Sequence, residues 1–135
     1  MDYRSNQAWQ AADDLAVAVY GATEAYPDGE RYGLVSQTRR AAVSAAANIA
    51  EGYGRATVKD MLHFLYQARG SLHETEYLIH LSGRLGYLGT ESKASLTEQQ
   101  AKAARTLQAL IYHWEGRLKA GRTALDARQS PAPSP

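Results

Sequence analysis

The sequence predicts an all-α protein, an up-down-up-down antiparallel four-helix bundle. Three observations carry that reading. Proline is absent from 28 to 130, runs of β-branched residues are missing, and apolar residues recur at spacings of three and four. The breaks between periodic segments are short, so consecutive helices should turn back as antiparallel neighbours.

The first helix should run from about Asn6 to Ala25, with Ser5 as its N-cap. Its inward stripe is Trp9, Ala12, Leu15, Ala16, Val19, Ala22 and Tyr26. The stretch "YPDGERYG" ends it, because Pro27 cannot continue a helix and Asp28-Gly29 is turn chemistry. A second helix should follow from about Gly33 to Gly52. The third starts near Thr57, where "TVKD" resembles a capping box with Asp in place of Glu. It continues to about Leu85, where Gly86 can adopt the left-handed conformation past a helix end. Its stripe is Phe64, Leu65, Ala68, Ser71, Leu72, Thr75, Leu78, Ile79 and Leu85. The fourth should begin between Thr90 and Thr97 and end near Gly121, burying Ala103, Leu107, Leu110, Ile111, Trp114 and Leu118. Residues 1–125 then form the bundle, and the Pro/Ser-rich residues 126–135 form a disordered tail.

A chain of 135 residues makes one domain that buries roughly two-thirds of its unfolded surface. No apolar run reaches the ~20 residues of a membrane span, and "MDYRSNQAWQ" lacks the regions of a signal peptide. The absence of cysteine excludes disulfides and thiolate metal sites, and fits a reducing cytoplasm. Net charge is only +1, but it is unevenly spread. Residues 1–36 hold two basic and six acidic side chains, and residues 37–135 hold thirteen and eight. Such asymmetry suits a polyanion or a complementary subunit.

The second helix is unusual. In "RRAAVSAAANIAEGYGR", Val35, Ala42, Ala45, Ala46 and Ile49 make a core stripe, and Gln37, Ala41, Ser44, Asn48 and Glu51 make a second. Val43, Ala47 and Ala50 extend a third behind Ser36 and Arg40. A solvated helix face would favour Lys and Glu at several of these positions. Small residues instead permit close approach on more than one side. Pairing through the tight "GYGR" turn would set Gly70 against Ala41, Leu72 against Arg39 or Arg40, and Asn48 against His63. A mid-helix glycine costs about 1 kcal/mol relative to alanine, and a tight seam would explain Gly70.

"RYGLVSQTRRAAVSAAANIAEGYGR" followed by "FLYQARGSLHETEYLIHLSGRLGYL" resembles a bacterial four-helix-bundle family. Its members include proteins encoded in intervening sequences of large-subunit ribosomal RNA genes and the accessory variability protein of diversity-generating retroelements. The resemblance spans roughly residues 10–120. It implies a bundle that assembles into a ring of five subunits, with no established activity for most members. For the retroelement protein it implies binding to a reverse transcriptase and to nucleic acid. Where members often carry Ile-Pro this chain has Ala45-Ala46, so the proline that would kink the helix is missing.

Chemistry is hard to find. A di-iron bundle needs two Glu-x-x-His pairs, and the nearest match is the single "DMLH", Asp60 with His63. His73, Glu76 and His80 make one further set. "EGYGR" lacks a phosphate-loop pattern and reads as a helix stop, and Ser71 has no nucleophile-elbow context. No metal, cofactor or enzyme activity is expected. Arg39, Arg40, Arg55 and Arg69 are candidates for ion pairs with Glu51, Glu74 and Glu76, with Arg40 placed beside Glu74. Arg55, Lys59 and Arg69 remain for a phosphate backbone.

The expectation is a non-catalytic cytoplasmic assembly protein whose partner is itself. Helix-packing and interface candidates are Arg40, Ala41, Ser44, Asn48, Glu51, Gly70 and Glu74. The alternative is a nucleic-acid-binding accessory factor of a reverse transcriptase or ribosomal RNA.

Overall fold

The computed structural model describes residues 2–129. Four α-helices dominate: α1 (Gln7–Thr23), α2 (Ser36–Tyr53), α3 (Val58–Arg84) and α4 (Thr90–Gln129). Each packs on its chain neighbour, and α1 closes the cycle against α4. This is the up-down-up-down bundle expected from the periodicity. No strand occurs among the described residues.

The start of α1 is capped by Asn6, not Ser5. Asn6 Oδ1 accepts from the backbone N–H groups of Ala8 at 2.9 Å and Trp9 at 3.1 Å. Ser5 sits in a preceding turn, its hydroxyl donating to the Asp2 carbonyl. Asn6 Nδ2 also donates to the Tyr53 hydroxyl at 2.9 Å, fastening the start of α1 to the end of α2. After α1, Gly33 departs from helical geometry (φ −108°, ψ −106°) within a wide turn over Arg31–Val35. Regular helix therefore begins at Ser36, later than Gly33.

The turn chemistry around α3 is as expected. Thr57 Oγ1 accepts from the Asp60 N–H at 3.1 Å, and Gly86 has φ +79°. The Tyr87 N–H donates to the Ser82 carbonyl and the Gly86 N–H to the Gly83 carbonyl. These two bonds form a Schellman motif that stops α3 and lets the chain reverse into α4.

The core follows the expected stripes closely. Leu15, Val19, Ile49, Leu65, Leu72, Leu78, Leu107 and Ile111 are all fully buried. Burial of such side chains contributes ~1.5–3 kcal/mol each. Leu85 departs from its stripe: it lies past the last turn of α3 and is half exposed. Met61, Leu62, Ser82, Leu96 and Gln100 are buried as well. Gln100 is tolerated because its Nε2 donates to the Leu72 carbonyl at 3.0 Å. Buried Thr23, Thr38 and Thr75 bond back to carbonyls one turn earlier.

The fourth helix does not end near Gly121. It continues to Gln129, through the first residues assigned to the tail. One glycine costs about 1 kcal/mol, but Lys119, Ala120, Arg122, Ala124 and Leu125 around it favour helix. The remainder of the expected tail, 130–135, lies outside the described residues.

Candidate interaction surface

The contact between α2 and α3 explains most of the small residues on α2. Ala41, Ala42, Ala45, Ala46 and Ile49 are buried, and so is Gly52. A Cβ on Gly52 would stand 3.2 Å from the Met61 carbonyl oxygen and 3.4 Å from Phe64 Cβ. Here the two backbones approach most tellingly, at a glycine that the sequence presents only as a helix stop. About two turns further along the same contact lies a polar cluster. Ser71 Oγ donates to Ser44 Oγ across the helices at 3.0 Å, and Asn48 Nδ2 donates to the Ser44 carbonyl at 2.9 Å. Ser71 thus bonds across to α2, not back along its own helix.

Gly70 is not part of this seam. It is exposed, and a Cβ built on it would meet nothing within 4 Å. Pairing fixes which residues lie level along two helices, but not which way each one faces. Each step along a helix turns about 100°, so Gly70 lies that far round from Ser71, toward solvent. His63 likewise faces out and bonds Gln67, leaving Asn48 to Ser44.

The expected Arg40–Glu74 pair is absent too. Arg40 is exposed without an ion pair among the described residues, and Glu74 Oε1 instead accepts from Gln37 Nε2 at 3.5 Å. Gln37 lies one turn earlier on the side of α2 nearer α3. Its neighbour Arg39 turns to α1. Arg39 Nε donates to Thr23 Oγ1 at 2.8 Å, and the guanidinium lies 4.5 Å from the Tyr20 ring centroid. Glu24 is 3.7 Å away. This fork of contacts uses the planar guanidinium in a way lysine cannot reproduce.

The three cations considered for phosphate do not form one patch. Arg55 pairs with Glu51 at 2.7 Å and lies 4.4 Å over the Phe64 ring, at the α2–α3 turn. Arg69 faces α4, donating to Gln108 Oε1 at 3.3 Å and lying 5.1 Å from the Tyr66 ring. Lys59 is exposed in the first turn of α3, ~15 Å along the helix from Arg69. Arg69, His73, Arg105 and Gln108 border a cleft of about 270 Å³ floored by Leu72 and Leu107.

Among the described residues no group of three or more His, Cys, Asp or Glu could hold a metal ion. Nor is any helix long and apolar enough to cross a membrane. Ser71 has a serine rather than a base beside it. The titrating groups that do shift are tyrosines. Burial pushes Tyr26 and Tyr53 up, and the Glu115 carboxylate accepting the Tyr66 hydroxyl at 2.7 Å pushes Tyr66 up. Neutral phenols of this kind support packing rather than proton transfer.

What stays open is the outer face of α2, where Arg40, Val43 and Ala47 lie exposed one turn apart. Tyr32 leads into this face and is 89 % exposed. Residues 4–109 match the sequence profile of the 23S rRNA-intervening sequence proteins. The chain belongs to that family. Among solved structures, the intervening-sequence fold seen here is similar to a protein of unknown function from the S23 ribosomal protein family of Bacteroides thetaiotaomicron. The two share 22 % identity with a TM-score of 0.69, over 77 % of this chain and 97 % of that one. No curated protein matches it. The match to the intervening-sequence family ends at residue 109, whereas α4 runs on to Gln129.

Proposed function

We propose that this intervening-sequence protein is a non-catalytic assembly protein whose bundles join in a ring, five subunits being the number that the family resemblance implies. The observation that supports this reading is the outer face of α2. Val43 is 43 % exposed there, and Ala47 and Arg40 continue the face without a covering helix. Val43 and Ala47 stand one turn apart on a face where solvent alone would favour Lys and Glu, which suits a protein neighbour. Light scattering at micromolar concentration tests the reading. The expected mass is several times the 14.8 kDa of one chain, and a stable monomer would overturn it.

Nucleic-acid binding, as an accessory to a reverse transcriptase or ribosomal RNA, is the second reading. It has weaker support, since Arg55 and Arg69 each have protein partners on different sides of α3. Contacts of this sort would be non-specific, at about 10⁻⁴–10⁻⁶ M in physiological salt. A titration with labelled structured RNA at two salt concentrations separates it from the assembly reading.

A further inference from the structure

The end of α4, from Lys119 on, is exposed at every residue whose burial is described. At 40 residues α4 rises ~60 Å, while the 27 residues of α3 rise ~40 Å. Tyr66, two turns into α3, bonds Glu115, so α4 passes the start of α3 about two turns later. Every residue from Lys119 to Leu125 is exposed, as are Ala127 and Arg128.

This arm nevertheless continues the core seam. Ala103, Leu107, Ile111, Trp114 and Leu118 recur at spacings of three and four on the side packed into the bundle, and Gly121 and Leu125 extend the same line. Leu125 is 50 % exposed. Arg117 and Arg128 flank the line on one side and Arg122 on the other, with the helix turning about 100° per residue. An apolar line edged by guanidinium groups is a surface built for an apolar patch edged by carboxylates.

The chain carries such a patch on α1. That helix contains no Lys or Arg. On its outer side Val17 is 69 % exposed, with Asp13 and Asp14 within one turn before it. Within one chain the two surfaces cannot meet. The outer side of α1 faces away from the bundle, and the arm leaves beyond the end where α1 starts.

We infer that the arm of α4, Arg117–Arg128, docks on the acidic outer face of α1 of a second copy. This inference rests on the assembly reading and specifies its joint. Donor and acceptor are different surfaces of one chain, so the contact runs head to tail. Contacts of that type generate a ring where the rotation from copy to copy closes. The arm lies past residue 109, where the family match ends.

Two full-length variants test the inference. One reverses the arm (Arg117→Glu, Arg122→Glu, Arg128→Glu), and the other reverses the acceptor (Asp13→Arg, Asp14→Arg). Each alone should associate about tenfold or more weaker in light scattering, since like charges then face each other. Combined in one chain, the two reversals should recover the assembly, because every arm then finds an opposite face whatever the number of subunits. Recovery in the doubly reversed chain cannot come from misfolding. If both variants keep the parental mass, the arm is not the joint, although the assembly reading survives. If the unaltered chain is a monomer, both fall together. Loss of binding to a labelled RNA hairpin by the arm variant, with mass unchanged, would assign the arm to nucleic acid and overturn the inference.

Discussion

Gly52 of α2 sits against the Met61 carbonyl of α3 so closely that a Cβ would lie 3.2 Å from that oxygen, tighter than ordinary van der Waals contact. The carbonyl belongs to the first turn of α3 and cannot swing aside as a flexible side chain can. Gly52→Val should therefore destabilise the bundle by about 1–3 kcal/mol, as overpacking does. Gly52→Ala should cost less, because alanine's helix propensity offsets part of the strain. Thermal melting followed by circular dichroism reads both, and a raised melting temperature for the valine variant would show that the seam is loose.

Gly70 should behave in the opposite way. It lies exposed in the middle of α3 with nothing near its missing Cβ. Gly70→Ala is expected to stabilise by up to about 1 kcal/mol, and Gly70→Leu to leave the single bundle folded. Chemical denaturation at low protein concentration measures this. A destabilised leucine variant would mean that the α3 face around Gly70 is covered.

Alkaline pH should unfold the protein through its tyrosines. Tyr26, Tyr53 and Tyr66 hold their protons more tightly in the folded state than in the unfolded chain. Below about 10 both states are protonated and this preference changes nothing. Above it the unfolded chain ionises first, so stability falls as pH rises. Tyr26→Phe and Tyr53→Phe should each flatten that fall in a pH series of denaturant melts. An unchanged slope in both would remove burial of the two phenols as its cause.

The fold was legible because its signals are periodic. Stripes at three- and four-residue spacing gave the four helices, and local turn chemistry at Thr57 and Gly86 gave two of the ends. What the sequence concealed depends on the direction in which a residue faces. Gly70 and Ala41 can lie level and still not touch, and Arg39 and Arg40 are neighbours that face different surroundings. Gly52 and Gly70 differ only in what stands opposite them, which a single chain of letters does not display. Gly121 misled for another reason: its cost is local, and strong helix formers on both sides outweigh it. The candidate cations were legible as charges, but the partners that Arg55 and Arg69 take were not.

The cyclic order of the helices also governs how quickly the chain finds its structure. Three of the four helix contacts join elements consecutive in the chain. Only α1 against α4 must bring distant stretches together. Contacts of short sequence separation form with little loss of chain freedom, and proteins dominated by them fold in microseconds to milliseconds. The α1–α4 contact closes the longest stretch of chain and so carries the largest loss of chain freedom of the four. Trp9 of α1 and Trp114 of α4 both pack against the core, so refolding followed in parallel by tryptophan fluorescence and circular dichroism shows whether that closure lags behind helix formation.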